Sequence, residues 1–307
     1  MRANPALTCI AKPAKGRGGD GIFLVRKFSD LPKAALASDF VVQRYLENPY
    51  LLDGKKFDFR VYVVVKGVAP LEAYLCEEGL ARFCTSNYRR PDAHNVKNLF
   101  MHLTNFSLNK NSERFVQPEE TFRSDSQASK RLLTSILKGL QASGKDVRFL
   151  RKQIQDLAVK TVVALEPYLR NAYHCFISPD NKDPKCFQIL GLDILVDEQM
   201  NAWLIEINAN PSLNVYVDRE LPNGDIEQTL SELDKYVKAT LISDTIKLVG
   251  YTQLTPNAEL SELGCLKRIF PAETKYYDRY QVFSLAEGIF QKLGGTKGCD
   301  QITSSQF

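Results

Sequence analysis

Residues 202–213 read AWLIEINANPSL, and the fold turns on two of them. Trp203, Leu204, Ile205 and Ile207 make a buried β-strand the natural reading, yet Glu206 and Asn208 stand two apart, on one pleat face of it. A lone buried carboxylate costs on the order of several kcal/mol unless a positive or hydrogen-bonding group compensates it. Just upstream, FQILGLDILVD (187–197) reads as a second strand. The two form an antiparallel hairpin around a four-residue loop, Glu198 to Asn201, with Asp197 opposite Ala202. That register sets Asp193 across from Glu206 and Asn208 across from Gly191. Facing carboxylates destabilise a sheet, and sharing a site would force one of them to take up a proton. A divalent cation removes the conflict. With oxygen donors only and no His or Cys nearby, the set suits Mg²⁺ carrying nucleotide phosphates, for which Gly191 leaves room. The alternative is that the acids sit on a solvated face or pair with arginines; their apolar flanks favour the metal.

Working outward, KPAKGRGGDG (12–21) places Lys12, Lys15, Arg17 and four glycines between two short strands, so backbone amides and lysines can meet an anion. It is neither a Walker loop nor a dinucleotide fingerprint, and a flexible basic loop is an equal alternative. In KKFDFRVYV (55–63), Lys56, Asp58 and Arg60 share one face of a strand, with Phe57, Phe59 and Val61 on the other. A half-buried strand with a solvated charged face explains that pattern plainly. Arg82, in LARFCT, and Lys12 add further cations. Several cations beside a dication imply an anion with several charges, and ATP fits.

The remaining sequence sets bounds. At 307 residues and 44% hydrophobic content the chain can build a real core, and a net charge of +4 gives no argument for nucleic acid. Seven scattered cysteines without a C-x-x-C pair indicate neither a zinc site nor a secreted disulfide framework. No apolar run approaches a membrane span and no signal peptide is evident, so a soluble, reducing cytosolic setting without a membrane partner is expected. LEAYLCEEGLARFCT (71–85) reads as strand, Glu-Glu-Gly turn and strand. Helical spacing covers 121–144 and 146–176, and a further helix is expected to end at Gly250. His94, His102 and His174 are too scattered for a metal triad, and His102 is read as a structural hydrogen-bonder.

Six stretches, in order, resemble the tubulin tyrosine ligase-like family: AKPAKGRGGDGIFL, VVQRYLENPYLLDGKKFDFRVYVVV, EEGLARFCT, MHLTNFSLNK, FQILGLDILVD and WLIEINANPSL. The resemblance spans roughly residues 8–250 and implies an α+β fold with an ATP-grasp core. By it, residues 1–45 would be part of a central subdomain with the phosphate loop, 46–250 the catalytic subdomain, and 251–307 a helical appendage and polar tail. By the same resemblance, the family's N-terminal domain is expected to have no counterpart in these residues. Asp20 stands where the family usually has a basic residue, with Arg17 able to replace its charge.

The resemblance also implies ATP-dependent ligation of an amino acid to a protein carboxylate through an acyl-phosphate intermediate. It maps the Mg²⁺ ligands onto Asp193, Glu206 and Asn208, and the phosphate contacts onto Lys12, Gly18 and Gly19. Adenine and nucleotide contacts fall on Gln43, Arg44, Tyr45, Leu46, Lys56, Phe57, Asp58, Thr104 and Asn105. Arg60 and Arg82 would hold the γ-phosphate or the incoming amino acid's carboxylate, with Ser107 and Lys238 on that amino acid and Glu206 also counted as catalytic. Within the family the motifs are most similar to the polyglutamylases. Free L-glutamate as donor, acidic tubulin tails on microtubules as acceptor, a monomer, and a cytoplasmic or ciliary cytoskeletal location follow as expectations. Lys145, Arg148, Arg151 and Lys152 are candidates for a basic surface that receives the tail. Glycine or tyrosine as donor, a non-tubulin acceptor, or a weakly active microtubule-binding module remain open alternatives.

Overall fold

A computed structural model describes residues 7–16, 18–32, 39–68, 70–118, 122–123, 127–177, 186–220, 223–250 and 264–271. Arg17 and the segments 251–263 and 272–307 of the expected appendage and tail lie outside the described residues.

The N-terminal strands β1 (Cys9–Pro13), β2 (Phe23–Val25) and β3 (Phe40–Arg44) form an antiparallel sheet in the order β2-β1-β3. Its buried side, through Ile10 and Leu24, packs with Tyr45 and Leu103. β3 lies at an edge, and its Val41 and Val42 are exposed.

A second, seven-stranded sheet is built on β5 (Lys55–Val68) and β6 (Leu71–Phe83). Its main path runs β12 (Leu266–Phe270), β6, β5, β8 (Gln188–Val196), β9 (Ala202–Asn208). The short strands β4 (Leu51–Leu52) and β7 (Lys130–Leu132) pair with β5 and β6, and β10 (Tyr216–Glu220) and β11 (Ile226–Leu230) form a separate hairpin. Glu77, Glu78 and Gly79, expected to turn the chain, sit inside the unbroken β6. Its partner changes there, from β12 over residues 73–76 to β7 over residues 80–82. In the segment expected to be a helical appendage, the described residues form β12. Leu266, Ile269 and Phe270 are buried, as apolar spacing suggests, but in a strand that pairs with β6.

The helices follow the sequence more closely. α1 (Leu99–His102) and α2 (Phe106–Asn109) are single turns in the polar MHLTNFSLN stretch. Helix α3 (Leu133–Ala142) is preceded by β7, so the helix expected over 121–144 gives up residues 130–132 to the sheet. Helix α4 (Val147–Phe176) is N-capped by Asp146, whose side chain accepts the Phe149 amide at 3.0 Å. Helix α5 (Glu232–Gly250) starts at Ser231, whose hydroxyl accepts the Asp234 amide at 3.2 Å, and ends where expected. Cys9, Cys76, Cys84, Cys186 and Cys265 are free thiols, whereas Cys175 is disulfide-bonded. No helix among the described residues is long and apolar enough to cross a membrane.

The chain forms two compact units. One comprises residues 1–59, 80–136 and 195–203; the other comprises 60–79, 137–194 and 204–307.

Candidate functional site

In the first unit the glycine loop lies against the turn that carries Asn105 and Ser107. Gly18, Gly19 and Gly21 have φ of 61°, 95° and 68°, a region that side chains other than glycine's rarely enter. The Ser107 hydroxyl donates to the Gly18 carbonyl at 2.5 Å, and a Cβ on Gly18 or Gly19 would come within 2.7 Å of Ser107 Oγ or 3.1 Å of Asn105. Lys12 reaches across from β1 to the edge strand, its Nζ 3.2 Å from Gln43 Oε1. The structure thus brings together Gly18, Gly19, Asn105 and Ser107, and separately Lys12 and Gln43. Arg44 is exposed, Leu46 half-buried and Tyr45 buried.

Asn109, which sequence reasoning missed, pins this turn. Its amide oxygen accepts from Thr85 N and Oγ1 at 3.0 and 3.1 Å, and its Nδ2 donates to the carbonyls of Leu103 and Asn105 at 2.7 and 3.0 Å. The i, i+4 spacing of Asn105 and Asn109 is the signal that would have found it.

The charged face of β5 is not solvated. Lys56 and Asp58 are each 4% exposed. Asp58 accepts Arg82 Nε at 2.8 Å and a second guanidinium nitrogen at 2.5 Å, and the Thr104 hydroxyl at 2.8 Å. Lys56 donates to Tyr45 Oη at 3.0 Å and to the His102 carbonyl at 2.7 Å. Burial lowers its pKa to about 8. The Phe57 ring is fully buried, stacked on Phe83 and edge-on to Phe59, so its side chain belongs to the core.

His102, fully buried, is the hydrogen-bonding residue expected. Burial and the nearby Lys56 ammonium hold its pKa down at about 4.

In the second unit, Arg60 forms a bidentate pair with Asp193, with Nε 2.6 Å from Oδ1 and a terminal nitrogen 3.2 Å from Oδ2. Gly191 is required beside them, because a Cβ there would meet Pro211 at 2.9 Å and Arg60 Cδ at 3.2 Å. Asn208 Nδ2 lies 3.4 Å from the Gly191 carbonyl, which directs its oxygen away from that carbonyl. Glu206 is exposed. Asp193, Glu206 and Asn208 offer the hard oxygens that magnesium prefers, but among the described residues no group of three or more His, Cys, Asp or Glu side chains comes together. An ionised carboxylate has about four lone-pair positions, so pairing with an arginine does not preclude metal ligation.

The hairpin turn is one residue shorter than expected. The Met200 amide donates to Asp197 O at 2.9 Å and the Asp197 amide to Asn201 O at 3.0 Å, so Asn201 rather than Ala202 stands opposite Asp197. Met200 takes the left-handed position, at φ 66°, and Asp197 itself holds the turn through its carboxylate bonds to Gln199, Asn201 and Trp203. The facing of Asp193 and Glu206 therefore does not follow from the turn.

Lys238, expected to touch the amino acid, is buried; its Nζ lies 2.8 Å from Asp234 and 2.5 Å from the Asn214 carbonyl. It ties the loop after β9 to α5. Of the expected basic surface, Arg148, Arg151 and Lys152 are exposed on the first turns of α4 and Lys145 is half-buried before it.

Residues 1–258 match the model of the tubulin-tyrosine ligase family. The chain is 35% identical over 334 residues to the human protein named tubulin polyglutamylase TTLL11, covering 98% of this chain and 46% of that protein. It is 38% identical over 247 residues to the Caenorhabditis elegans tubulin polyglutamylase ttll-11, covering 78% of this chain and 34% of the relative. It is also 38% identical over 254 residues to a probable beta-tubulin polyglutamylase of Tetrahymena thermophila, covering 82% of this chain and 20% of that protein. The chain thus spans half or less of each of these relatives. With the ordered motifs, the glycine loop seated on Asn105 and Ser107, and a family match over most of its length, the chain belongs to the tubulin-tyrosine ligase family.

Proposed function

We propose that this chain carries the core of an ATP-dependent ligase that joins free L-glutamate to side-chain carboxylates of acidic tubulin tails. The observation that supports the reading is the largely buried Arg60–Asp193 pair beside Gly191: such an ion pair is a weak source of stability, and a dication and a polyanion bound there would give both charges a use. The names of the relatives support tubulin as acceptor and glutamate as donor.

ATP with Mg²⁺ would supply the activated phosphoryl group and neutralise its charge. Asp193, Glu206 and Asn208 would ligate the metal. Lys12 and the amides of Gly18 and Gly19 would bind phosphate oxygens, and the exposed apolar edge at Val41 and Val42, beside Gln43, offers a surface for a purine ring. Arg60 and Arg82, each oriented by a carboxylate, present fixed cations to developing negative charge. The protein needs no nucleophile of its own; its task is to position reactants and offset charge. Arg148, Arg151 and Lys152 on α4 provide a basic strip for an acidic tail, and a cytoskeletal setting is part of the proposal.

The test incubates purified protein with ATP, Mg²⁺, stabilised microtubules and separately labelled glutamate, glycine or tyrosine. Glutamate incorporation that Glu206→Ala abolishes is the expected result. Incorporation of glycine or tyrosine instead, or microtubule binding without incorporation, would overturn it.

A further inference from the structure

A chain of directed hydrogen bonds leads to Lys56 from the loop before α1. Asn95 is fixed by Asp92, whose amide donates to Asn95 Oδ1 at 3.0 Å and whose carboxylate accepts the Asn95 amide at 2.9 Å. Asn95 Nδ2 donates to Arg90 O at 2.8 Å, which assigns its amide orientation. His102 Nε2 then faces two acceptors, Asn95 O at 3.2 Å and Asn95 Oδ1 at 3.3 Å, and so carries the ring proton. In the neutral ring Nδ1 is left as an acceptor, and it lies 3.2 Å from Tyr45 Oη. The tyrosine hydroxyl has two acceptors on His102, Nδ1 at 3.2 Å and the backbone carbonyl at 3.4 Å; its proton goes to the nearer, Nδ1, and its lone pairs turn toward Lys56 Nζ at 3.0 Å. A second bond from Lys56 goes to the backbone carbonyl of His102 itself, at 2.7 Å. Two of the three ammonium N–H groups are thus committed in fixed directions, which fixes where the third points.

We propose that Asn95, His102 and Tyr45 form a positioning relay that aims the Lys56 ammonium at the nucleotide. The proposal rests on the reading that Lys56 contacts ATP. In this role the three side chains act through the lysine, whatever contact the backbone of Tyr45 makes with adenine. A neutral His102 is required, since an imidazolium would offer a proton at Nδ1 as well and set a second cation beside Lys56. The low pKa of His102, about 4, keeps it neutral at physiological pH. The other ionisable groups that act on Lys56 are Cys84 and Asp58, which favour its charge, and Lys12, which opposes it.

The experiment measures equilibrium binding of a fluorescent ATP analogue to the purified protein between pH 6 and 9.5, alongside thermal unfolding. In the unaltered protein, affinity falls as pH rises through about 8, where Lys56 loses its charge. Tyr45→Phe removes an acceptor that stabilises the ammonium. It should weaken binding about tenfold and move the pH midpoint downward, with a folded thermal transition retained. His102→Gln, which frees the tyrosine proton, should shift the midpoint in the same direction and serves as the second variant if Tyr45→Phe does not fold. A folded relay variant with unchanged affinity and midpoint, while Lys56→Met loses binding, overturns the relay alone. Unchanged binding in Lys56→Met overturns both the relay and the nucleotide role of Lys56.

Discussion

Arg82 and Asp58 face each other from neighbouring strands in the protein interior, joined by two bonds of 2.8 and 2.5 Å with side chains 10% and 6% exposed. Thr104 closes the arrangement with a third bond to the same carboxylate. A pair this deep is worth little against an apolar replacement of both partners, but breaking it strands a charge. Asp58→Ala should therefore lower unfolding free energy by about 3–5 kcal/mol in urea titrations, while the Asp58→Leu/Arg82→Met double variant recovers most of that loss. Full stability in Asp58→Ala would mean the two side chains do not share an interior site.

His102 makes stability depend on pH. Its folded pKa of about 4 lies below the 6.5 of an unperturbed histidine, so between those values the unfolded chain binds a proton that the folded chain refuses. Its contribution is whole above about pH 6.5 and is lost as pH falls toward 4, by about 3 kcal/mol in all at 1.36 kcal/mol per pH unit. Denaturant melts at pH 4.5 and 7 should differ less in His102→Gln than in the parent. An equal difference in both proteins would assign the pH dependence to other groups.

The glycine loop gives a third outcome. Gly18→Ala meets Ser107 Oγ at 2.7 Å with a backbone at φ 61°, so it should weaken ATP binding by about tenfold or more. Adding Ser107→Ala removes the contact with Oγ but not the backbone strain, so affinity should return only in part. Isothermal titration of the three proteins separates the two effects.

For Lys238 two roles predict different losses. As a clamp between Asp234 and Asn214, its loss should show in stability: Lys238→Met should cost about 2–4 kcal/mol by leaving Asp234 without its cation. A lysine that held the incoming amino acid would instead raise the KM for that amino acid and leave the melting temperature in place.

Much of this was legible in the sequence because period-two patterns and capping residues report local structure directly. The strands β5, β8 and β9 and the end of α5 at Gly250 follow from neighbours in the chain, although β9, read as a buried strand, holds no buried residue. What was not legible depended on distant partners. Residues 130–132 carry helical spacing, yet β6 recruits them as a strand. The Glu-Glu-Gly of β6 reads as a turn because no local signal distinguishes reversal from a change of neighbour. The loop from Glu198 to Met200 is one residue shorter than the spacing suggests because Met200 adopts a left-handed conformation usually reserved for glycine or asparagine. Asn223-Gly224 is a turn signal between β10 and β11, but neither YVDRE nor IEQTL alternates, so the strands themselves carry no period-two pattern. Among the candidate site residues, sequence gave identities, but not that Lys56, Asp58 and Arg82 lie in the interior with protein partners.

β12 has a practical consequence. The family match stops at residue 258, whereas the strand that covers residues 73–76 of β6 begins at Leu266 and is anchored by the Cys265 amide on Asp244 at 2.8 Å. Trimming the polypeptide at the homology limit would strip that cover, leaving a bare ladder of amides and carbonyls able to recruit strands from other molecules. Expression of the domain alone would then yield aggregates, and a stop placed beyond Pro271 is the safer choice for soluble material.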